Sequence, residues 1–330
     1  MKKIVVVACM LVIIMVVILP TLIISSINGI HSQPENHNNT LKDENIKINI
    51  YFHKEKKIRA MNLEEYIVGV VAAEMPAEFE REALKAQAVA ARTYAVKHML
   101  LFGGSGAPDC PDADISTDYG QGQSWLGQEQ LKERWGNHYA QYLEKINQAV
   151  AETKNQAITY DGEVINAVFH STSGERTASA KEVWGFDYPY LISVPCPWDQ
   201  HSPRYQERKE FSLAEIEKKL GAETQVVAAA QNGSGVVQVV DTTDSGRVGQ
   251  IRIGSKVLTG QMVREKLDLR STRFHIEMQD GKMIVDTIGY GHGVGLCQYG
   301  ANGMAKAGKD YGQIISAYYT GVVIQSIIAP

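Results

Sequence analysis

The order of apolar and polar positions divides the chain into an apolar leader, a polar stretch and a long region of mixed periodicity. Residues 4–24 are almost entirely apolar and follow Lys2 and Lys3. A helix needs about 20 apolar residues to cross a bilayer, whereas the core of a cleaved signal peptide has roughly 7–15. We therefore expect residues 1–27 to be a transmembrane anchor with its amino end in the cytoplasm, although a cleaved leader would export the rest of the chain equally. Residues 28–45 are polar and predict a linker.

From residue 46 onward the pattern predicts helices and antiparallel hairpins. Apolar residues alternate with polar ones from Ile46 to Phe52, which is typical of a half-buried strand. Helical spacing predicts helices over 61–73, 77–101, 124–135, 138–152 and 261–267. Turn sequences predict hairpins at Asp161-Gly162, at 244–246 and at Asp280-Gly281, and a capping box predicts a helix that starts at Ser212. Because no βαβ alternation is present, we expect an α+β fold. It would be one domain, 46–330, with a helical core (about 61–155) packed on antiparallel β-hairpins (about 156–330).

Composition and charge exclude one class of partner. The chain has 330 residues, of which 44% are hydrophobic and 21% charged, with a formal net charge of −4. This is ordinary globular composition, and it lacks the basic excess that binding to nucleic acid requires. Of the four cysteines, Cys9 lies in the leader, and Cys110, Cys196 and Cys297 are far apart without zinc-ligand spacing. A disulfide outside the cell is compatible with this count, and the sequence leaves the pair open.

Glu74 is the carboxyl group best suited to acid–base chemistry. It stands among apolar residues in the segment 70–79, where two predicted helices meet. An apolar environment disfavours the charged form and raises the pKa of a carboxyl group, as a general acid working near neutral pH requires. The structural alternative is that Glu74 caps the next helix, where a carboxylate interacts favourably with the helix dipole. Glu82, inside the alanine-rich helix, is the competing carboxyl group.

Three groups of polar residues can be interpreted either as internal hydrogen-bond networks or as the lining of a ligand groove. They are Gln87 and Arg92 on the alanine-rich helix; His170, Ser171, Ser173 and Gly174 in the segment 169–174; and His292, Gln298 and Tyr299 in the glycine-rich segment 289–300. Buried polar groups need partners, so both interpretations stay open for the first two groups. Five glycines let the third segment approach a ligand closely, which favours a functional role. Cys297 near His292 also suggests a thiol nucleophile, but nothing else in the sequence supports thiol chemistry.

These segments resemble the stage II sporulation protein D (SpoIID) family of spore-forming bacteria. The resemblance is carried by LEEYIVGVVAAEMPAEF at 63–79, EALKAQAVAARTY at 82–94, FHSTSG at 169–174, GYGHGVG at 289–295 and QYGANGM at 298–304. It implies a lytic transglycosylase that acts on peptidoglycan glycan strands stripped of their stem peptides during engulfment of the forespore, with the catalytic glutamate at Glu74. It also implies a place in the mother-cell membrane facing the forespore, beside the amidase SpoIIP and the membrane protein SpoIIM.

The mechanism that the resemblance implies needs neither a metal nor another cofactor. Some relatives carry His and Cys zinc ligands ahead of a Gln-x-Trp motif, whereas here Ser116, Gln121 and Gly122 precede Gln123-Ser-Trp125, so we expect no metal. Glu74 would protonate the leaving oxygen and then deprotonate the muramyl 6-hydroxyl. We expect a groove lined by Ser171, Ser173, His292 and Gln298, with Gln87 and Arg92 supporting Glu74. The alternatives are a wall-binding scaffold that activates a partner amidase, and a hydrolase with a second carboxylate.

Overall fold

In the computed structural model, which describes residues 46–118, 120–221 and 237–327, the alternating segment at the start forms the expected strand. Its apolar residues are buried on one face of β1 (Lys47–Phe52), which pairs antiparallel with β2 (Lys57–Asn62) and parallel with the short β3 (Ile115–Ser116). The predicted anchor and linker lie outside the described residues. Within the described ranges, no helix has both the length and the apolar character that a membrane span requires.

The helices of the amino-terminal half follow the predicted helical spacing. They are α1 (Leu63–Glu74), α2 (Arg81–His98), α3 (Gln128–Trp135) and α4 (Tyr139–Glu152), with 3₁₀ turns at Leu100–Phe102 and Gly136–His138. The alanines of α2 are fully buried on several sides of the helix. Small side chains let α1 and α4 approach its backbone closely, so α2 becomes the centre of the main core.

The start of α2 differs from the prediction. We expected it at residue 77, but residues 76–79 form a separate turn in which the N–H of Phe79 donates to the carbonyl of Pro76 at 3.1 Å. The N-cap residue of α2 is Glu80, and its N–H donates to the side-chain oxygen of Asn302 at 2.8 Å. The first helix therefore ends at Glu74, well before the second begins.

The carboxyl-terminal half consists of small sheets joined by short helices. Its strands are β4 (Gln156–Tyr160), β5 (Glu163–Val164), β6 (Phe169–His170), β7 (Glu175–Arg176), β8 (Pro195–Cys196), β9 (Gln206–Ser212), β10 (Val237–Thr242), β11 (Val248–Ile253), β12 (Lys256–Thr259), β13 (Phe274–Gln279), β14 (Lys282–Ile288), β15 (Leu296–Cys297) and β16 (Val323–Ser326). Its helices are α5 (Ala180–Trp184), α6 (Leu213–Leu220), α7 (Gly260–Leu267), α8 (Gln298–Lys306) and α9 (Tyr311–Tyr318). The pairs β4–β5, β10–β11 and β13–β14 are the predicted hairpins, and α6 starts with the predicted capping box.

Two hydrophobic cores hold these elements together. The larger surrounds α2 and includes side chains of α1, α4, β4, α8 and α9. The smaller is formed by α6, α7 and the strands β9 to β14. The helices α8 and α9 come late in the sequence but pack on α2, which brings the end of the glycine-rich segment to the amino-terminal helices. The α+β class is confirmed, although β1–β3 and β6–β15 are parallel pairs rather than hairpins.

Candidate active site

Glu74 is the last residue of α1 and lies partly open to solvent. The helix stops there because Met75 takes an extended conformation ahead of Pro76, as the sequence predicted. The alternative that Glu74 caps the following helix is wrong, since Glu80 holds that position. Glu82, the competing carboxyl group, is occupied elsewhere: it pairs with Lys85 at 2.8 Å and accepts the N–H of Tyr311 at 2.9 Å.

The environment of the Glu74 carboxyl group raises its pKa. Burial is the largest cause, and it is opposed by hydrogen bonds from Ser124 and Gln298 and by the positive charge of Arg134. The N–H of Ser124 donates to Oε1 of Glu74 at 3.0 Å. The position at the carboxyl end of a helix also disfavours a negative charge. The group is therefore poised to carry a proton, with donors ready to stabilise the carboxylate once the proton has left.

Ser124 is held in place by its two neighbours in the chain. Gln123 is buried, its side-chain oxygen accepts the hydroxyl proton of Tyr66 at 3.1 Å, and its N–H donates to Ser116. Trp125 packs directly on Gly69 of α1, where a Cβ would lie 2.1 Å from the indole nitrogen. Only glycine allows this contact, so Gly69 fixes how closely the 123–125 segment approaches α1 and Glu74.

Arg134 supplies the positive charge that α1 lacks at its carboxyl end. No basic residue lies in the last turn of α1. Nη1 of Arg134, from α3, donates to the carbonyl oxygens of Ala72 at 3.1 Å and Ala73 at 3.2 Å. These carbonyls have no partner within the helix, so the guanidinium group both satisfies them and places a cation near Glu74.

Gln298 joins the glycine-rich segment to the catalytic candidate. It is the first residue of α8, is buried, and contacts the Glu74 carboxyl group through its side chain. Its Nε2 also donates to Oε1 of Gln87 at 3.4 Å. Gln87 is fully buried, and its own Nε2 has no protein partner among the described residues. Gln87 is thus an internal residue that orients the Gln298 side chain, and it does not reach the protein surface.

The two histidines are anchored by the backbone. The N–H of Val294 donates to Nδ1 of His292 at 3.0 Å, so the ring proton of His292 is on Nε2 and faces the carbonyl of Phe169 at 2.9 Å. His170 contacts the carbonyl of Val294 through Nδ1 at 3.1 Å and the hydroxyl of Ser173 through Nε2 at 2.8 Å. Burial lowers the pKa of His292 to about 4 and that of His170 well below its usual value. These shifts favour the neutral form of both rings, and the ring nitrogens join the segment 169–174 to the segment 289–300.

Comparison with known proteins identifies the family of the chain. The SpoIID family model, described as stage II sporulation protein, matches residues 51–160. The chain is 41% identical over 285 residues to "Stage II sporulation protein D" of Bacillus amyloliquefaciens, covering 86% of this chain and 80% of that protein. The corresponding protein of Bacillus subtilis is 40% identical over the same shares. The chain belongs to the SpoIID family. A more distant relative is the "Amidase enhancer" of Bacillus subtilis, 27% identical over 78% of this chain and 40% of that protein.

Within this SpoIID-family fold, the segment 169–174 is divided between surface and interior. Ser173 and Gly174 are buried, and their N–H groups donate to Oδ2 of Asp199 at 2.7 and 2.9 Å. Ser171 is partly exposed, and its carbonyl accepts the N–H of Tyr299 at 3.1 Å. Tyr299 is also partly exposed, with its ring against Phe79 at 4.9 Å between centroids.

Arg92 belongs to the core of the SpoIID-family domain. It is fully buried and forms a bidentate pair with Glu64 of α1, at 2.8 and 2.6 Å. Its remaining donors reach the carbonyl oxygens of Ala88, Val150 and Gln156. Every donor is used internally, so we correct the expectation that Arg92 supports Glu74: its direct carboxylate partner is Glu64.

The structure thus separates the predicted site residues into two sets. Glu74, Gln298 and Gln87 lie together, and Ser171 and Tyr299 are joined to them through the backbone. His170, Ser173 and Gly174 are buried and form an internal frame behind them, and the partly exposed His292 is bonded to that frame through the carbonyl of Phe169. The sequence did not predict that Ser124 and Arg134 contact the end of α1, or that Asp199 holds the backbone of Ser173 and Gly174. A glycine inside the α1 pattern, Gly69, was the available signal that another segment packs closely there.

Proposed function

We propose that this SpoIID-family protein is a lytic transglycosylase that cuts peptidoglycan glycan strands lacking stem peptides and leaves 1,6-anhydro-muramyl ends. The environment of Glu74 supports this most directly. Its carboxyl group is partly open to solvent, and its pKa is raised by burial while hydrogen-bond donors of Ser124 and Gln298 face it. Membership of the SpoIID family supports forespore engulfment as the setting.

Glu74 performs both proton transfers in the proposed reaction. Its acid form donates a proton to the glycosidic oxygen as the bond to the muramyl anomeric carbon breaks. The resulting carboxylate accepts hydrogen bonds from Ser124 and Gln298, which stabilise a charge that burial alone disfavours. The carboxylate then takes the proton of the muramyl 6-hydroxyl while that oxygen bonds to the anomeric carbon. Because the nucleophile belongs to the same sugar, no second carboxylate is required.

The remaining predicted residues act at different distances from the sugar in this proposal. Ser171 and Tyr299 are partly exposed and contact the glycan directly, whereas the buried Gln298 acts through the Glu74 carboxyl group. Gln87 holds Gln298 in position. His170, Ser173, Gly174 and His292 keep the two segments at a fixed separation, and their polar groups are used for that purpose.

The proposed setting is outside the cytoplasm. Residues 1–27 would anchor the protein in the mother-cell membrane, with the catalytic domain, 46–330, facing the forespore. Removal of stem peptides by an amidase would supply the substrate, so we propose the amidase SpoIIP and the membrane protein SpoIIM as partners. The likeness to a protein named amidase enhancer favours a second candidate function, a wall-binding scaffold that activates an amidase.

The test is to analyse by mass spectrometry the products formed from purified strands without stem peptides. The wild-type protein should yield 1,6-anhydro-muramyl ends, and Glu74→Gln should lower the rate by about 10²–10⁴-fold. Glu65→Gln is the matched control, because Glu65 is exposed on the same helix. Wild-type rates for Glu74→Gln would refute the assignment. Products with reducing ends would indicate a hydrolase, and stimulation of an amidase without any cleavage would indicate the scaffold.

A further inference from the structure

Cys196, Asp199 and Cys297 meet in the interior beneath the glycine-rich segment. Their sulfur and carboxylate atoms lie within 4.8 Å of one another, and all three residues are fully buried. Cys196 is on β8, whereas Cys297 is on β15 and caps α8 by accepting the N–H of Gly300. The two cysteines are 101 positions apart in sequence (297 − 196), so only the fold brings them together.

The surroundings of Gly300 show that the sulfur atoms of Cys196 and Cys297 lie close together. A Cβ on this residue would lie 2.5 Å from Sγ of Cys196 and 3.2 Å from Sγ of Cys297. The two sulfur atoms lie within 4.8 Å of each other. A disulfide requires an S–S distance of about 2.05 Å, so the two sulfurs must approach each other by less than 3 Å to form one.

A closed metal site explains the cluster less well than a bond between the sulfurs. Structural zinc takes four ligands, and this cluster offers three. Oδ2 of Asp199 already accepts the N–H groups of Ser173 and Gly174 and the thiol of Cys297, the last at 3.4 Å. Cys110 is partly exposed and is not a member of the cluster.

We propose that Cys196 and Cys297 form a disulfide as the chain folds outside the cytoplasm. This inference rests on the extracytoplasmic location in the proposed function. A low-molecular-weight disulfide such as oxidised glutathione is the oxidant: one thiolate attacks it and releases one thiol, and the second cysteine then displaces the other. The two cysteines lose two protons and two electrons, and one oxidant molecule becomes two thiols.

The burial of Cys196 and Cys297 determines when the proposed disulfide can form. Burial raises the pKa of Cys297 well above its usual value, and the neighbouring Cys196 and Asp199 raise it further. The thiolate is the reactive form, and burial also shields both sulfurs from an oxidant, so the bond forms before the interior closes and exchanges slowly afterwards. The bond would join β8 to the residue directly before Gln298. It would therefore tie the Glu74 partner to the sheet that follows the 169–174 segment.

The direct experiment maps the thiols of the full chain, exported and purified in detergent. Free thiols are alkylated without reductant, and the peptides are then analysed by mass spectrometry. We expect a cross-linked pair of peptides containing Cys196 and Cys297, about 2 Da lighter than the sum of the reduced peptides, with Cys110 alkylated. In a second arm the reduced, unfolded chain is refolded with a mixture of reduced and oxidised glutathione, so that the result does not depend on where the protein resides.

Variants and metal analysis complete the test. Cys297→Ser should lower the unfolding midpoint by roughly 5–10 °C under non-reducing conditions, whereas Cys110→Ser should leave the cross-link intact. Glu74→Gln should also retain it, which separates this inference from the catalytic one. Alkylation of both Cys196 and Cys297 after oxidative refolding would overturn the proposal. A bond to Cys110, or one equivalent of zinc held by the reduced pair, would overturn it as well.

Discussion

The backbone N–H of Ser124 donates a hydrogen bond of 3.0 Å to Oε1 of Glu74. A backbone donor held by its neighbours needs no reorganisation when charge develops on its acceptor. The pKa of Glu74 is set by burial, which raises it, against Ser124, Gln298 and Arg134, which lower it. Each opposing group therefore offers a way to move the pH range of the proposed activity without replacing Glu74, the proposed catalytic residue.

Replacing Arg134 by Met is expected to extend activity to higher pH. The positive charge of Arg134 lowers the pKa of Glu74, so its removal raises that pKa. The acid form required for the first proton transfer is present below the pKa, and it will persist to higher pH in the variant. The alkaline limb of the kcat/KM profile on peptide-free strands should shift upward. Loss of the donor to Ala72 and Ala73 should also cost about 0.5–1 kcal/mol of unfolding free energy.

Arg134→Lys is the matched control for charge. It keeps the positive charge on an exposed side chain, so the alkaline limb should stay near that of the wild type. If the alkaline limb of the kcat/KM profile of Arg134→Met is unchanged or moves to lower pH, the positive charge of Arg134 does not act on Glu74.

Gly69→Ala should impair catalysis from a position that does not touch the substrate. The new Cβ would lie 2.1 Å from Nε1 of Trp125, so the indole must move and take the adjoining Ser124 amide with it. We expect kcat to fall about 10-fold and the unfolding free energy to fall by about 1–3 kcal/mol. Gly312→Ala in α9 is the control, since its Cβ meets only Asp310 at 3.3 Å and Ile324 at 4.0 Å. Equal kinetic effects of the two substitutions would contradict this role for Gly69.

Local signals explain what the sequence could predict of the fold. Pro76 ends α1 and Asp161-Gly162 turns β4 into β5, because each acts on its immediate neighbours. The start of α2 was placed too early, since a proline that permits a helix does not require one. The Ser124 contact was beyond reach: it joins positions 50 residues apart through a backbone N–H, which carries no residue identity.

The candidate site likewise was predictable where local sequence carries the signal and not where distant residues meet. The sequence singled out Gln87 and Gln298, which meet at 3.4 Å, because polar residues in small-residue surroundings need partners. The sequence could not tell which polar residues line a groove and which form internal hydrogen bonds, because that depends on burial in the assembled fold. Arg92 is the clearest case: its partner, Glu64, was one of several carboxylates on neighbouring helices.

Arg92→Met should therefore act on stability rather than on substrate binding. Removing the guanidinium group leaves Glu64, whose side chain is 19% exposed, without its bidentate partner. We expect a loss of about 3 kcal/mol in unfolding free energy, measured by urea denaturation, with KM for the folded protein unchanged. The double variant with Glu64→Gln should recover part of the loss. A large increase in KM without destabilisation would place Arg92 at the substrate instead.

Acid should destabilise the fold through His292. Its pKa is lowered to about 4, below the value of about 6.5 for an unfolded histidine. As pH falls, the unfolded state binds this proton first, so the stability that neutral His292 contributes is complete above about pH 6.5. It is lost progressively as pH falls through the folded pKa.

The pH dependence of unfolding isolates this histidine. Between pH 7 and pH 4 the unfolding free energy should lose up to about 3 kcal/mol from His292 alone. His292→Gln removes the titrating ring, so the variant should be less stable at pH 7, where the bonds to Phe169 and Val294 are lost, but should decline less steeply with acid. His138→Gln, at an exposed position, should keep the wild-type slope. If His292→Gln and the wild type decline in parallel, His292 is not the neutral ring that ties the glycine-rich segment to β6.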